Sequence, residues 1–268
     1  MNWDMNVYTN TRISKLPTTL QTLALILRNI KLSKSKNGRT KVYEFDGVVT
    51  QHNMSVIESP RMQYSIHSAN EVAGWDYQIP MRIHQAIWCV DTMLKSKATS
   101  KSSLVEIGTG RGYVMMAVLR SRSFLDSDIH NPVFLCDSYL PYSLNSESKQ
   151  DIENGVNKHY AVNAEQTRKA FSSFRNVQIV EGNLPDSLNL VDFGSIGFCH
   201  IDLNNPQVEI ECLKKLWPKI EPGGIILIDD YAYLGFGSTY KAFNEFAIEK
   251  DVTILTTAFG QGIIFKTS

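Results

Sequence analysis

The sequence lacks an excess of charge of either sign, since Lys and Arg together number 27 and so do Asp and Glu. A chain without net charge has no long-range attraction to the phosphates of a nucleic acid or to an anionic membrane. We therefore expect neither of these as its main partner. No stretch approaches the length of an apolar membrane span, and we find no internal repeat or low-complexity tract.

Cysteine is scarce, and its spacing excludes most cysteine chemistry. Cys89, Cys136, Cys199 and Cys212 form no CxxC pair, and the first three lie within apolar runs. Such residues are typically buried free thiols rather than metal ligands or disulfides. Reduced thiols fit a cytosolic protein, and residues 1–14 lack the apolar core after a basic start that a signal peptide needs. We therefore expect a cytoplasmic location.

Strands and helices are predicted to alternate from residue 104 onward. The predicted strands cover residues 104–107, 133–136, 177–180, 196–201, 225–228, 252–255 and 263–265, and the predicted helices cover residues 113–120, 151–174, 206–217 and 238–250. Repeated alternation indicates a parallel sheet covered by helices on both faces. The closing hairpin indicates an antiparallel last strand. The prediction is an α/β fold with a Rossmann-like, seven-stranded, mostly parallel sheet.

The first hundred residues carry weaker patterns. We treat residues 1–100 as an N-terminal helical or irregular extension, and residues 101–268 as the main domain. Residues 16–32 and 79–94 have the apolar spacing of amphipathic helices, and residues 42–49 fit either a short strand pair or a loop. We expect the first of these helices to pack against the domain rather than to contact a membrane.

Aromatic and basic residues cluster around the start of the second of these helices. They are Tyr64, His67, Trp75, Tyr77 and Arg82. Aromatic rings stack on sugars, and Arg pairs with carboxylate or phosphate, so this group is a candidate acceptor site. The alternative is a packed lid or a dimer surface, which leaves a homodimer open. Tyr231, Tyr233 and Phe236 are further candidates for a wall of the acceptor pocket.

A glycine-rich turn follows the strand at 104–107. Residues 106–112 have the sequence Glu-Ile-Gly-Thr-Gly-Arg-Gly and precede a predicted helix. Glycine permits a tight turn and the close approach of a ligand, and the helix amides favour an electron-rich group. The dinucleotide spacing GxGxxG needs a small residue where Tyr113 or Val114 stands, whereas the acid at Glu106 favours a methyltransferase. A turn selected only for packing is a further alternative.

Acidic residues follow three strands of the alternating region. Asp137 follows the strand at 133–136, where an acid can accept hydrogen bonds from ribose hydroxyls; a solvated loop aspartate is the alternative. Asp202 follows the strand at 196–201, and Asp229 and Asp230 follow the strand at 225–228. Three carboxylates at neighbouring strand ends suit Mg²⁺, which can depress the pKa of a substrate hydroxyl. Alternatively, Asp229 caps a turn and Asp230 is simply exposed.

From residue 104 to residue 265 the chain resembles the class I methyltransferases of the macrocin O-methyltransferase type. The resemblance rests on six segments in the expected order: residues 105–112, 137–139, 181–188, 200–202, 216–224 and 229–231. The most specific part is Pro-Lys-x-x-Pro-Gly-Gly before an apolar strand and Asp-Asp-Tyr. The resemblance implies S-adenosylmethionine as cofactor, Mg²⁺ as metal, and a hydroxyl of a sugar or other small molecule as methyl acceptor.

The segments and the resemblance together give a set of candidate site residues. The cofactor site consists of Glu106, Gly108, Thr109, Gly110, Gly112, Tyr113, Asp137, Ser138, Gly182, Asn183 and Asp202. The resemblance places metal ligands on Asp202, Asp229 and Asp230, and gives Asp202 a part in deprotonating the acceptor. His200 is a second candidate base, with a buried core residue as the alternative. The commoner family form has Asp where Asn204 stands, and Asn cannot act as a base.

Two other functions stay open beside O-methylation. N-methylation or aminopropyl transfer uses the same fold, although an aminopropyl transferase needs a paired acidic pocket, of which residues 202–204 supply only a part. A non-catalytic relative that serves as a partner subunit is the other alternative, favoured by Asn183 and Asn204.

Overall fold

The computed structural model describes residues 43–50, 52–139, 163–233 and 235–267, and the chain divides into two compact units, residues 1–54 and 55–268. The described part of the first unit contains an antiparallel hairpin of β1 (Tyr43–Phe45) and β2 (Val48–Thr50). Its turn residues Asp46 and Gly47 have φ values of 48° and 71°, as tight hairpin turns require. Of the two alternatives for residues 42–49, the strand pair is confirmed. The predicted helix at 16–32 lies outside the described residues.

The second unit carries the alternating region together with the helices that precede it. Its helices are α1 (Ser55–Glu58), α2 (Pro60–Ala73), α3 (Pro80–Lys95), α4 (Tyr113–Ser123), α5 (Ala164–Ala170), α6 (Pro206–Leu216) and α7 (Gly237–Lys250). Its strands are β3 (Ser103–Ile107), β4 (Val133–Asp137), β5 (Val177–Glu181), β6 (Ile196–Ile201), β7 (Ile220–Ile228), β8 (Ile254–Thr256) and β9 (Gly262–Phe265). Helices α2 and α3 therefore belong to the same compact unit as the sheet.

The strands of this unit form one sheet in the order β5-β4-β3-β6-β7-β9-β8. Strands β3 to β7 pair in parallel, whereas β9 runs antiparallel to both β7 and β8. The predicted seven-stranded, mostly parallel sheet is thus confirmed. The strand order reverses between β3 and β6, and open α/β sheets bind ligands beyond the carboxyl ends of the strands at such a point.

Helices cover both faces of the sheet, and alternation along β3 shows which face is which. Leu104 packs in the core cluster with α2, α3 and α4, while Val105 and Ile107 pack in a second cluster with α6 and α7. Side chains alternate along a strand, so Glu106 points to the same face as Leu104. An acid from β3 therefore lies beneath the helices that precede the sheet.

Helix α2 is absent from the predicted elements. Its start is capped by Ser59, whose side chain accepts from the Met62 N–H, and it ends at Gly74 with φ 69°. Three of its four buried residues are small: Ser65, Ala69 and Ala73. Small residues let helices approach closely, but they give little apolar periodicity, which explains why the pattern at 60–73 does not stand out.

The helix predicted for 151–174 is shorter where the structure describes it. Helix α5 ends at Ala170, and residues 171–173 form a turn. Residues 151–162 lie outside the described part.

The cysteine prediction is confirmed, because all four cysteines are buried and free. Burial raises the pKa of the Cys89 thiol to about 12. Among the described residues, none of the helices combines the length and apolarity needed to cross a membrane.

Candidate functional site

The glycine-rich turn after β3 depends on backbone conformations that glycine adopts without strain. Gly108, Gly110 and Gly112 have φ values of 85°, 50° and 84°, in the left-handed region, where a side chain costs about 1–2 kcal/mol. A Cβ atom on Gly108 would overlap the backbone carbonyl of Asp202, and one on Gly112 would overlap the ring of Phe171. The turn therefore packs directly against the residues that follow β6 and α5.

Gly110 differs from the other two glycines, because a Cβ atom there would meet nothing within 4 Å. Its N–H donates to Oδ2 of Asp137 at 2.7 Å, and the N–H of Tyr139 donates to Oδ1 of the same carboxylate at 2.8 Å. Asp137 is thus tied to the glycine turn, while the space in front of Gly110 is open. A ligand can approach the carboxylate and the turn together.

The end of β5 lies beside the end of β4. The N–H of Gly182 donates to the carbonyl oxygen of Asp137 at 3.0 Å, and the N–H of Ser187 donates to the carbonyl of Asn183 at 2.8 Å. The Ser187 hydroxyl also donates to the carbonyl of Gly182 at 3.1 Å. The backbone therefore brings the predicted cofactor residues Gly182 and Asn183 next to Asp137 and Ser138.

Tyr113 occupies the first position of α4, beside the glycine turn. Its ring contacts Tyr77 edge-on, with ring centroids 4.8 Å apart. Burial raises the pKa of the Tyr77 phenol, with the charge of Arg111 opposing this shift and that of Asp202 adding to it. Tyr77 thus lies within electrostatic range of both Arg111 in the turn and Asp202 after β6.

Strand pairing brings three ionisable residues into one row. Glu106 lies opposite His200, and His200 lies opposite Leu227; Asp229, two residues beyond Leu227, returns to the same face. Oε1 of Glu106 is 3.0 Å from Nδ1 of His200, and Oδ1 of Asp229 is 3.8 Å from Nε2. All three residues are buried, so alternating charges cross three strands away from water.

The two acids determine the charge of His200. Burial alone lowers its pKa, but contacts with Asp229 and Glu106 outweigh burial and raise the pKa of His200 to about 10. A protonated imidazole has no lone pair with which to accept a proton. This position corresponds to a buried, ion-paired core residue, and the predicted role of His200 as a base gains no support from it.

Asp229 has a donor on each carboxylate oxygen. Gln261 Nε2 donates to Oδ1 at 2.7 Å, while Arg82 Nη1 donates to Oδ2 at 2.5 Å and to Oδ1 of Asp230 at 2.9 Å. Arg82 is only 5% exposed, and its guanidinium carbon lies 5.0 Å from the ring centroid of Tyr233. Burial alone raises the pKa of Asp229, but these partners and His200 lower it below its usual value.

Asp202, Asp229 and Asp230 together form what we call the acid cluster. One oxygen from each carboxylate lies within 4.8 Å of the other two. Burial, and then the charges of Asp229 and Asp230, raise the pKa of Asp202 well above its usual value. A divalent cation among these oxygens would offset that repulsion, and three carboxylates are ligands that Mg²⁺ accepts. The donor set therefore fits the metal.

The loop after Asp202 is fixed by a residue of α6. The N–H of Leu203 donates to Oε1 of Glu209 at 3.0 Å, and Glu209 is 3% exposed. Asn204 has φ 55°, a conformation that Asn and Asp tolerate better than other side chains. Both Asn204 and the Asp of the commoner family form can therefore adopt this backbone conformation.

Only some of the aromatic residues predicted for the acceptor pocket lie near the acid cluster. Tyr77 and Tyr233 lie near the acid cluster, as described above. Tyr231 is instead 2% exposed in the core, where its hydroxyl accepts from Asn244 Nδ2 at 2.8 Å. Tyr64 lies on α2 against Phe124, with ring centroids 5.8 Å apart. Tyr231 is therefore a packing residue rather than a pocket wall.

Three residues of the site carry no clear signal in the sequence. Gln261 stands between two glycines in a predicted turn, Glu209 lies inside a predicted helix, and Arg82 is predicted as an acceptor ligand rather than as a partner of acids. The ion pairs of Arg82 join residues 147 and 148 positions apart. Of the three, only Gln261 has a sequence signal for a role in the site, because it is a polar residue next to an apolar strand.

Comparisons with known proteins agree with this geometry. The family model Macrocin-O-methyltransferase (TylF) matches residues 76–261. The 8-demethyl-8-(2,3-dimethoxy-alpha-L-rhamnosyl)-tetracenomycin-C 4'-O-methyltransferase of Streptomyces olivaceus is 29% identical in an alignment 166 residues long, which covers 56% of this chain and 60% of that relative. The solved structure of the O-methyltransferase NovP superposes with a TM-score of 0.61 at 18% identity, covering 78% of this chain and 100% of NovP.

The match to NovP shows a shared fold, and the family match spans well over half of the chain, including the glycine turn, Asp137 and the acid cluster. The chain therefore belongs to the macrocin O-methyltransferase family of class I S-adenosylmethionine-dependent methyltransferases.

Proposed function

We propose that the protein transfers the methyl group of S-adenosylmethionine to a hydroxyl of a sugar or other small metabolite, assisted by Mg²⁺. The observation that carries this proposal is the contact of Gly108 with the backbone of Asp202, where no Cβ atom fits. This contact joins the glycine turn, suited to the cofactor, to the acid cluster, suited to an acceptor hydroxyl. Methyl donor and acceptor would thus be held by adjoining residues, as in-line transfer requires.

The open space at Gly110 and the tethered carboxylate of Asp137 fit the cofactor. When bound, S-adenosylmethionine supplies an activated methyl group on its sulfonium. Asp137 would accept from the ribose hydroxyls, with Gly182 and Asn183 alongside it. The predicted contacts of Glu106, Thr109, Tyr113 and Ser138 belong to this proposal.

The acid cluster would hold Mg²⁺, which supplies positive charge that lowers the pKa of a nearby substrate hydroxyl. Arg82 and Gln261 orient Asp229 through its two oxygens. The carboxylate of Asp202, next to the glycine turn, would take the hydroxyl proton, since an ionised carboxylate can accept one.

The acceptor class rests on the relative from Streptomyces olivaceus, whose name gives it a rhamnosyl-bearing substrate. Arg82 contacts the acid cluster, and Tyr77 lies within electrostatic range of Asp202. These positions support our proposal that residues 1–100 contribute acceptor specificity. The cytoplasmic location and the homodimer stay predictions.

Calorimetric titration with S-adenosylhomocysteine, with and without MgCl₂, tests the cofactor, and methyl transfer to rhamnosides, followed by mass spectrometry, tests the acceptor. We expect binding and a mass gain of one methyl group. The variant Asp202→Asn should bind the cofactor product within about threefold of wild type but lose at least about 100-fold in turnover, because an amide cannot accept the proton.

The matched control is Asp192→Asn, since Asp192 pairs with Lys219 on the surface and should leave turnover unchanged. Absence of cofactor binding under both conditions would overturn the enzymatic proposal. Full turnover in Asp202→Asn would remove Asp202 from the mechanism.

A further inference from the structure

Arg82 already provides a cation to two of the three acids that would hold a divalent ion. It lies in the first turn of α3 and is 5% exposed. One nitrogen, Nη1, donates to Oδ2 of Asp229 at 2.5 Å and to Oδ1 of Asp230 at 2.9 Å. A single guanidinium nitrogen thus spans two members of the acid cluster.

Asp202, the third member of the cluster, lies beside the two acids that Arg82 contacts. Within the described ranges, Arg82 donates hydrogen bonds to Asp229 and Asp230, and one oxygen of Asp202 lies within 4.8 Å of an oxygen from each of those two acids. Arg82 therefore offsets part of the negative charge, and a second cation would relieve the rest.

Both oxygens of Asp229 already accept hydrogen bonds, one from Arg82 and one from Gln261. A metal ion that takes Asp229 as a ligand must share or displace one of these donors. The Gln261 side chain is neutral, whereas the guanidinium of Arg82 also repels the ion. Arg82 therefore disfavours the binding of a second cation more strongly than Gln261 does.

We propose that Arg82 is a built-in competitor for the divalent cation, a positioning residue that holds Asp229 and Asp230 together while no metal is bound and weakens metal binding. This inference rests on the proposed function, since it takes Mg²⁺ as the ion. It predicts that one substitution has opposite effects on stability and on Mg²⁺ affinity. Removing the guanidinium should destabilise the metal-free protein and, at the same time, strengthen its binding of Mg²⁺.

The test uses the full chain, freed of metal with EDTA and then dialysed, with Arg82→Met and Arg82→Lys beside wild type. Calorimetric titration with MgCl₂ should give a dissociation constant at least 10-fold lower for Arg82→Met, equal to about 1.4 kcal/mol, with Arg82→Lys between the two. The increase in melting temperature on adding Mg²⁺ should be at least twice as large in Arg82→Met as in wild type. Neither readout requires catalysis.

Arg61→Met is the matched control, because Arg61 forms an ion pair with Asp91 at 2.8 Å outside the acid cluster. It should lose stability equally with and without Mg²⁺. If Arg82→Met folds only in the presence of Mg²⁺, the proposal is supported. If it folds in neither condition, Arg82→Lys takes its place: tighter Mg²⁺ binding than wild type supports the proposal, and equal or weaker binding contradicts it.

Unchanged or weaker Mg²⁺ binding in Arg82→Met, or no binding in either protein, overturns the inference. Titration with S-adenosylhomocysteine separates this from failure of the proposed function. A wild type that binds the cofactor product and Mg²⁺, beside a variant of equal Mg²⁺ affinity, leaves the proposed function standing. A wild type that binds neither contradicts the proposed function itself.

Discussion

The glycine turn and the acid cluster lie against each other at one edge of the sheet, but different forces hold them. The turn is a matter of backbone shape: Gly108 and Gly112 have positive φ and no space for a Cβ atom. The cluster is a matter of charge: buried carboxylates are held by Arg82 and Gln261. Substitutions in the turn should therefore act at every pH, whereas substitutions around the cluster should act in a pH-dependent way.

Together with His200→Leu below, the largest effect is expected for Gly108→Ala, which changes only the shape of the turn. The new methyl group would overlap the Asp202 carbonyl at a φ of 85°, so strain and overpacking should lower the free energy of unfolding by about 3–5 kcal/mol. Urea unfolding at pH 6 and pH 9 should give the same loss. Gly194→Ala, with φ 60° and nothing within 4 Å of a Cβ atom, is the control and should lose about 1 kcal/mol. Equal losses in the two variants would contradict the steric argument.

His200→Leu attacks charge and should cost about 3–5 kcal/mol near pH 6, because it leaves Glu106 and Asp229 buried without their shared cation. The folded-state pKa of His200 is raised to about 10. Its stabilising effect is therefore complete below the unfolded value near 6.5 and is lost as the pH rises through about 10. Urea unfolding at pH 6 and pH 10 measures the difference. The same loss at both pH values would show that packing, not charge, dominates at this position.

A smaller loss, about 2 kcal/mol, is expected for Gln261→Leu, since a buried hydrogen bond to a charged carboxylate disappears. Gln207 offers a matched control, because its amide also donates to a carboxylate, that of Glu211, at 3.2 Å on the surface. Gln207→Leu should change stability by no more than about 0.5 kcal/mol. Chemical denaturation of both variants compares a buried partner with an exposed one, and similar losses would argue against the burial of this contact.

The smallest expected effect, and opposite in sign, is that of Asp202→Asn on stability in EDTA. The folded-state pKa of Asp202 is raised, so the folded protein binds more protons than the unfolded chain, and wild type loses stability as the pH rises above about 4. Asn mimics the protonated acid. The variant should therefore be more stable than wild type at pH 8, and this advantage should vanish at pH 4. Thermal unfolding at both pH values decides it, and a variant less stable at pH 8 would refute it.

The comparison also explains what the sequence can predict. The glycine turn and its acid lie within residues 106–112, and each of Asp137, Asp202 and Asp229 directly follows an apolar strand. Because the carboxyl ends of parallel strands meet at one edge of the sheet, these positions along the chain are sufficient to predict that the turn and the acids lie close together.

Partners that meet across the fold follow no such rule. Arg82 precedes Asp229 by 147 residues and lies on a helix before the sheet begins. Its basic side chain can pair with an anionic substrate or with an acidic residue of the chain, and the sequence alone does not distinguish these two partners. Proximity to the Asp pair predicts that Tyr231 lines the pocket, but the turn after β7 directs its ring into the core, against Gly262.

The position of Arg82 in α3, before the sheet begins, has a consequence for engineering within the family. Chimeras that exchange the acceptor-binding region between relatives would naturally be joined just before the glycine turn. Such a junction would separate α3 from the acids that its arginine contacts, so the two sides of these ion pairs would come from different parents. A junction upstream of Pro80 keeps these groups from one parent and is the splice site we would choose for recombining this scaffold.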